Sequence, residues 1–259
     1  MIAIVDYDAG NIKSVEKALQ YLGEEPVVTR DAGIINQADK VIVPGVGAFG
    51  EAMEKMCQYD LVEVLRNIAA RETPILGICL GLHLFFQSSE ESAGVEGLSL
   101  LPGRIVKIPD QEGIKIPHMG WNSIQINPKS RLFKGIPQDS YVYFVHSYYL
   151  RAERPEDVAA TTNYVVNIHA AAEHGNVFAT QFHPEKSGEV GLQILKNFIH
   201  FYSLLLMGKK EEFRERNGGI DVYKTNYSLS GCERRTGCEG NKLCGSPGCR
   251  RSRVGSGSL

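Results

Sequence analysis

The fold of this chain is decided by one stretch, Thr73-Pro74-Ile75-Leu76-Gly77-Ile78-Cys79-Leu80-Gly81-Leu82. Its apolar residues Ile75 and Leu76 predict a short buried strand, and a helical run follows directly after Gly81. A sharp strand-to-helix turn with a nucleophile between two glycines is the nucleophile elbow, here in the form G-x-C-x-G. The helix N-terminus beneath such a turn favours a thiolate over a thiol. The pattern predicts a nucleophilic Cys79, although an inert buried cysteine is an alternative that this stretch alone leaves open.

A second stretch offers the other groups that a thiol nucleophile needs. The run Ala179-Thr180-Gln181-Phe182-His183-Pro184-Glu185-Lys186-Ser187 places His183 and Glu185 two residues apart, after an apolar segment that predicts a strand. A nucleophilic thiol needs a base within hydrogen-bond reach, and the base needs a third group that fixes its orientation. A lone His–Glu pair is usually an ordinary polar contact, so this pair gains weight only beside the first stretch.

Together the two stretches resemble the class I glutamine amidotransferases, whose triad is a Cys in G-x-C-x-G and a His and a Glu in H-P-E. The resemblance implies that Cys79 is the nucleophile, His183 the base and Glu185 the group that orients the base. It also implies a Rossmann-like domain and acyl transfer from glutamine, in which a glutamyl thioester forms and water then cleaves it.

Composition indicates a compact enzyme in a reducing compartment. The chain has 259 residues, 43% hydrophobic and 22% charged, which is enough for one large domain with or without an appendage. Its net charge of −2 gives no reason to expect nucleic acid or an anionic membrane as a partner. No apolar run approaches about 18 residues, and the N-terminus has no signal-peptide pattern. Only Cys57 and Cys79 precede residue 232, so we expect free thiols and a cytoplasmic protein.

The first part of the chain alternates predicted strands and helices. A continuous apolar run such as Ile2–Val5 is typical of a strand buried on both faces of a parallel sheet. A glycine-rich loop, 44–50, follows the third predicted strand. This alternation predicts an α/β fold with a central, mostly parallel sheet and ligands at the carboxyl ends of its strands. The predicted strands here are 2–5, 25–29 and 40–43, and the predicted helices are 12–22 and 53–70.

The middle of the chain changes to the pattern of antiparallel strands, with β-branched and aromatic residues between Pro/Gly/Asp turns. The additional strands predicted in this antiparallel region are 103–108, 121–126, 141–146, 158–162, 168–173 and 177–182. A closing helix is predicted over 192–206. From about Lys209 the chain is polar and rich in Gly, Arg and Cys. We therefore expect an amidotransferase domain over 1–208 and a disordered tail over 209–259.

Four further motifs narrow the resemblance: Pro44–Phe49, His118–Asn122, Phe144–Tyr148 and Pro184–Ser187. Over roughly residues 1–205 they resemble the glutaminase subunits of imidazole glycerol phosphate synthase. That resemblance implies a heterodimer with a (β/α)8-barrel cyclase subunit and no cofactor or metal. The chain would hydrolyse glutamine to glutamate and ammonia. The cyclase would use the ammonia to form imidazole glycerol phosphate and AICAR in histidine biosynthesis.

The tetrahedral intermediate of this reaction needs two preorganised N–H donors. We expect one from the backbone of Leu80, directly after the nucleophile. The other is expected from the loop at Val46 and Gly47, where glycine lets the peptide turn toward the site.

Several weaker predictions also come from the resemblance. His83 stands where the family usually has a glutamine that helps to hold the substrate, so we expect it to contact glutamine. An imidazole cannot offer the paired donor and acceptor of an amide, and the affinity for glutamine is thus open. The residues that match the cyclase-facing surface are Asn11, Trp121, Tyr143, His146 and Lys186. Core aromatics and a solvated lysine are the alternative there.

The motifs leave three other functions open. The chain could be a paralogue that supplies ammonia for amidation of a surface-polysaccharide sugar, or a non-catalytic scaffold or sensor that kept the fold. The intact Cys79, His183 and Glu185 argue against a scaffold, and His83 is the feature in its favour. A cysteine peptidase is the third alternative, and the H-P-E pairing argues against it.

The tail has an unusual coding property. Its cysteines, Cys232, Cys238, Cys244 and Cys249, include no C-x₂-C pair, so they are a weak zinc signal. Residues 227–253, back-translated and read one nucleotide further on, can encode a segment containing IPCLDV that looks like the start of the cyclase barrel. Asp221-Val222 can supply its ATG, and Gly218-Gly219 a ribosome-binding GGAGG. We therefore interpret the tail as an out-of-frame reading of a downstream cyclase gene.

Overall fold

The nucleophile stretch lies near the middle of an 11-stranded mixed sheet. The structure is a computed structural model that describes residues 1–201. Its strands are β1 (Ile2–Val5), β2 (Val27–Thr29), β3 (Lys40–Gly45), β4 (Ile75–Cys79), β5 (Ser88–Ser89), β6 (Gly103–Lys107), β7 (His118–Ser123), β8 (Gln125–Ile126), β9 (Tyr141–His146), β10 (Tyr148–Ala152), β11 (Val158–Tyr164), β12 (Val166–His174) and β13 (Val177–Thr180). Its helices are α1 (Ile12–Tyr21), α2 (Ala32–Gln37), α3 (Phe49–Gln58), α4 (Leu61–Ala70), α5 (Leu80–Phe85) and α6 (Gly188–Ile199), with 3-10 turns at Pro155–Asp157 and Pro184–Lys186.

One half of the sheet is parallel, with the order β2-β1-β3-β4-β13. The run Ile2–Val5 shows why these strands are apolar throughout, because its residues alternate between two cores. Ile2 and Ile4 pack in the core that includes Val15 and Leu19 of α1. Ala3 and Val5 pack in the core that includes residues of α3 and α4 on the opposite face. Helices thus cover both faces, and the carboxyl ends of the strands are left at one edge.

The other half is antiparallel except for its last pair, β5 with β6, and is built around β12, which pairs with β13, β10 and β11. A separate two-stranded ribbon, β7 with β9, pairs His118 with His146 at one end and Ser123 with Tyr141 at the other. We call these two strands the ribbon. Its inner residues Val142 and Phe144 belong to the core beside α6, while Tyr141 points outward.

The predicted α/β class, with a mostly parallel sheet and an antiparallel region, is confirmed. The single helix predicted over 53–70 is wrong in one respect: it is two helices, because Asp60 adopts a left-handed conformation at φ 55° and breaks the run. α2 has six residues and one buried side chain, Ile35, which is too little to show a helical period. The last helix starts at Gly188 rather than Leu192. Its predicted continuation over 202–206, the boundary at Gly208 and the tail over 209–259 lie outside the described residues.

Candidate active site

Cys79 stands at a strained elbow that tight packing holds in place. It ends β4, directly before α5, with φ 54° and ψ −103°, a backbone conformation that L-residues rarely adopt. A Cβ on Gly81 would come within 1.8 Å of the carbonyl oxygen of Val43 in β3, and a Cβ on Gly77 within 2.6 Å of Gly81 O. Both glycines of the motif are therefore required, because the elbow lies directly on the neighbouring strand.

The predicted base comes from the strand on the other side of β4. β13 runs parallel to β4, so residues after its carboxyl end approach the elbow. The Nδ1 of His183 lies 2.7 Å from Oε1 of Glu185, and both side chains are inaccessible to solvent. His183 Nε2 is also buried and forms no hydrogen bond of standard geometry within residues 1–201. The bond at Nδ1 thus fixes the orientation of the ring, and Nε2 remains available for proton transfer.

The charge state of His183 follows from its neighbours. Burial opposes the charged imidazolium, but interactions with the Cys79 sulfur and then with Glu185 outweigh it and raise the pKa of His183 to about 9. At neutral pH the ring therefore carries a proton beside the sulfur. An imidazolium next to a thiolate is the arrangement that activates a cysteine nucleophile and can also protonate a leaving amine.

Asn11, predicted at the partner surface, is also in direct contact with this pair. Its Nδ2 donates to Glu185 Oε1 at 2.5 Å and lies 3.3 Å from His183 Nδ1. Asn11 occupies the position before α1 but does not cap that helix with its side chain, and its φ of 75° is one that asparagine tolerates. Glu185 Oε1 thus accepts from two donors, which holds the carboxylate and, through it, the imidazole.

The loop after β3 lies beside the elbow. β3 and β4 pair in parallel as far as Gly45 and Cys79, so Val46 and Gly47 follow the strand at the level of the nucleophile. Gly47 has φ 118°, which other residues rarely adopt. Gly45 is the last residue of β3 in register with β4, so its peptide bond to Val46 lies beside the elbow.

Tyr7 supports this loop and gave no signal in the sequence beyond being an aromatic residue after a strand. Its hydroxyl donates to Pro44 O at 2.8 Å, and a Cβ on Gly45 would lie 2.0 Å from that hydroxyl oxygen. Burial, and then the negative charge of Cys79, raise the pKa of Tyr7. The tyrosine therefore stays neutral and serves as a fixed donor under the loop.

His83 lies one turn beyond Cys79 and is buried. Its Nε2 is 2.9 Å from Oε1 of Gln181, a residue that sequence reasoning did not single out. Burial lowers the pKa of His83 to about 4, against the opposing effects of Gln181 and the Tyr148 backbone. The imidazole is therefore neutral at pH 7. Contact of His83 with substrate glutamine stays a prediction.

The residues predicted at the partner surface fall into two groups. Trp121 and Tyr143 lie opposite each other on the ribbon with their rings edge-to-face at 6.2 Å, and Lys186 is exposed on the 3-10 turn beside Glu185. His146 is buried instead, with its Nε2 3.0 Å from His118 Nδ1.

Within residues 1–201 no helix is long and apolar enough to cross a membrane, and no group of three or more His, Cys, Asp or Glu is placed to hold a metal ion. In the same part of the chain Cys57 and Cys79 are both free thiols.

Comparison with known proteins gives the class and then the family. Residues 3–201 match the family model of the class-I glutamine amidotransferases. The chain is 50% identical over 197 residues to imidazole glycerol phosphate synthase subunit HisH of Moorella thermoacetica, and 51% identical over 199 residues to the HisH of Bacillus cereus. Each match covers 76% of this chain and 93% of the relative. The chain therefore belongs to the class-I glutamine amidotransferases and, within them, to the HisH family of imidazole glycerol phosphate synthase subunits.

Solved structures agree on the fold. The structure of PurLQS from Thermotoga maritima matches 78% of this chain and 98% of that one, with a TM-score of 0.60 at 19% sequence identity.

The contact between Asn11 and Glu185 can be tested with an isosteric change. Asn11→Asp replaces a donor by a carboxylate that faces the carboxylate of Glu185, so the orientation of His183 is lost and we expect kcat for glutamine hydrolysis to fall at least about tenfold. Steady-state glutamate release measures it, with partner affinity determined in parallel. The matched control is Gln20→Glu, the same chemical change at an exposed position of α1. A wild-type kcat in Asn11→Asp would contradict the proposed contact.

Proposed function

We propose that the chain hydrolyses glutamine through Cys79, His183 and Glu185 and passes the ammonia to a cyclase subunit for histidine biosynthesis. The main support for this proposal is the buried ring of His183. Its Nδ1 is held by Glu185, and its Nε2 forms no hydrogen bond of standard geometry within residues 1–201. The nearby sulfur of Cys79 raises the pKa of the ring. HisH relatives about 50% identical support the histidine pathway over amidation of a sugar. The complete triad supports catalysis over a scaffold role.

The reaction proceeds in two steps. The Cys79 sulfur attacks the side-chain carbonyl carbon of glutamine, the oxygen becomes an oxyanion, and the C–N bond breaks as His183 Nε2 gives its proton to the departing ammonia. His183, now neutral, takes a proton from water, and the hydroxide attacks the thioester. Glutamate leaves and the thiolate–imidazolium pair is restored. Because the nucleophile must stay a reduced thiol, we place this reaction in the cytoplasm.

The ribbon is the surface that we assign to the cyclase subunit. It presents Met119, Trp121 and Tyr141, which are 67%, 55% and 60% exposed. Exposed aromatic residues and methionine are enriched at protein interfaces. The ribbon also contacts the catalytic residues, because the His183 N–H donates to Tyr143 O at 3.0 Å. A partner bound on the ribbon would therefore be joined to the base by one backbone hydrogen bond.

We further propose that the isolated subunit is held in a resting state. Leu80 N–H is one expected oxyanion donor, and in the resting state the second donor, Val46 N–H, is turned away and the Gly45 carbonyl takes its place. The register of Gly45 with Cys79 supports a position of this peptide beside the elbow. Rotation of the peptide between Gly45 and Val46 would exchange the carbonyl for that N–H. Binding of the cyclase and its ligand would select the rotated state as a population shift.

The amidotransferase domain, we propose, ends near Gly208, and the remaining residues are the out-of-frame reading of the cyclase gene. The family match ends at residue 201, and the HisH relatives are covered to 93% of their length by 76% of this chain. These extents support a functional unit that does not need residues 209–259.

Cys79→Ala tests the nucleophile. We expect glutamine hydrolysis to be abolished while ammonia-dependent synthesis by the cyclase complex survives, because only the thioester step needs the thiol. Cys57→Ala is the matched control, since this exposed thiol on α3 lies away from any base identified here, and it should keep the wild-type rate. Labelling by a glutamine-analogue alkylator should follow Cys79. Labelling of Cys57 in its place would show that the nucleophile is misassigned.

Glutamate release by the purified chain alone, with the cyclase, and with the cyclase plus its nucleotide ligand tests the resting state. Restoring one oxyanion donor is typically worth about 10²–10³ in rate, so we expect activation of that size in the liganded complex. Trp121→Ala should weaken the activation through loss of partner affinity. The control Tyr21→Ala, at an exposed tyrosine of α1, should not. Equal activity of the chain with and without the liganded partner would refute the proposal.

The nucleotide sequence beneath residues 221–253 tests the tail. The frame one nucleotide further on should be open and encode the start of a barrel subunit, and truncation after Gly208 should keep the partnered activity. Stop codons in that frame would end the proposal.

A further inference from the structure

His83 differs from every other buried residue of α5 in being polar. Leu80, Leu82, Leu84 and Phe85 fill apolar space around it. A buried polar ring is tolerated only where its nitrogens are hydrogen-bonded. The ring of His83 has one such bond, to Gln181, which directly follows β13.

One nitrogen of the ring is committed to Gln181. The acceptor Oε1 of Gln181 lies 2.9 Å from His83 Nε2, so Nε2 carries the hydrogen of the neutral ring. The amide nitrogen of Gln181, Nε2, is buried and has no hydrogen-bond partner within residues 1–201. The bond to His83 is therefore the side-chain hydrogen bond that holds this amide.

Gln181 stands two residues before the base. Its backbone N–H donates to Ala170 O at 2.8 Å, and the N–H of His183 donates to Tyr143 O at 3.0 Å. The segment from Gln181 to His183 is thus fixed at both ends by backbone bonds to β12 and β9. The bond from His83 adds a third attachment, which comes from the helix that carries the nucleophile at its start.

The backbone of Tyr148 also lies near the His83 ring. The carbonyl of Tyr148 also accepts from His146 Nδ1 at 2.9 Å, and His146 Nε2 accepts from His118 Nδ1 at 3.0 Å. These two bonds connect His118 and His146 of the ribbon to the backbone of Tyr148 beside His83. Only 6% of His83 is exposed.

We propose that His83 is a positioning residue for the base: its Nε2–H holds Gln181 and thereby fixes the strand end that places His183 between Cys79 and Glu185. This inference rests on the proposed function only in taking His183 as the base. It assigns His83 a task different from holding the substrate, because its Nε2–H is already bonded to Gln181.

A matched pair of substitutions separates the two tasks. In His83→Gln the amide nitrogen reaches the place of Nε2 and keeps the donor to Gln181, whereas in His83→Asn it reaches only the place of Nδ1. We expect His83→Gln to keep kcat within about twofold and His83→Asn to lose roughly ten- to hundredfold in kcat, with KM for glutamine unchanged. Gln181→Met, which breaks the bond from the other side, should reproduce the loss without adding to it in the double variant.

A second readout does not depend on turnover. The pKa of His183, measured by NMR titration of the isolated chain, should fall from about 9 toward the ordinary value in His83→Asn and Gln181→Met. The reason is that the ring then moves away from the Cys79 sulfur and Glu185. The pKa of His183 should remain unchanged in His83→Gln. It should also remain unchanged in the control pair His200→Gln and His200→Asn, which alter an exposed histidine after α6. These results would support the proposal even if the wild-type complex released no glutamate, an outcome that would count against the proposed function alone.

Three results would overturn the proposal that His83 positions the base. An unchanged His183 titration in both His83→Asn and Gln181→Met overturns the proposal. So does a rise in KM with kcat unchanged in His83→Asn, which would make His83 a substrate ligand. Equal losses in His83→Gln and His83→Asn would also overturn it, because the position of the donor would then be irrelevant.

Discussion

The contact on which this structure depends is the packing of Gly81 against the carbonyl of Val43. With 1.8 Å between that oxygen and any Cβ at residue 81, the elbow can rest on β3 only because the side chain is a hydrogen. This close approach brings the end of β3, the nucleophile and the start of α5 to one point. The loop after β3 and the backbone of Leu80 become neighbours for the same reason. A site for tetrahedral chemistry is thus a consequence of how closely two parallel strands and one helix can approach.

The second constraint is that the groups around the elbow are buried and polar. His183, Glu185 and Gln181 are shielded from water, so their hydrogen bonds must come from the chain. Asn11 and His83 supply them from the β1–α1 loop and from α5. Residues at 180–185 still keep four buried polar atoms without a partner in the described part of the chain. Unpaired buried atoms are costly, and all four lie within the segment that carries His183 and Glu185.

The same buried groups connect the site to the ribbon. The backbone carbonyl of Tyr143 in β9 accepts from the His183 N–H, and His146, at the end of the same strand, donates to Tyr148 O. A surface that carries exposed aromatic side chains is therefore one backbone hydrogen bond from His183, the proposed base. A partner on that surface can act on the base without reaching into the site.

Much of this could be predicted from the sequence, because it depends on local patterns. The apolar runs gave the parallel strands, and the glycines around Cys79 gave the elbow. The short helix α2 was not predicted, because a single buried residue cannot show a helical repeat of apolar positions. The break between α3 and α4 at Asp60 was not predicted, because a left-handed residue leaves the spacing of apolar residues on either side intact.

What the sequence by itself determined is the order of elements, the class of fold and the residue types needed for the chemistry. Tertiary structure decided which side chains meet. Asn11 and Glu185 are 174 positions apart, and His83 and Gln181 are 98 apart. Such contacts arise from the order of strands in the sheet, which brings the ends of β1, β4 and β13 together. A local pattern carries no distance between remote residues, so the role of Asn11 at Glu185 and the partner of His83 became visible only in the folded chain.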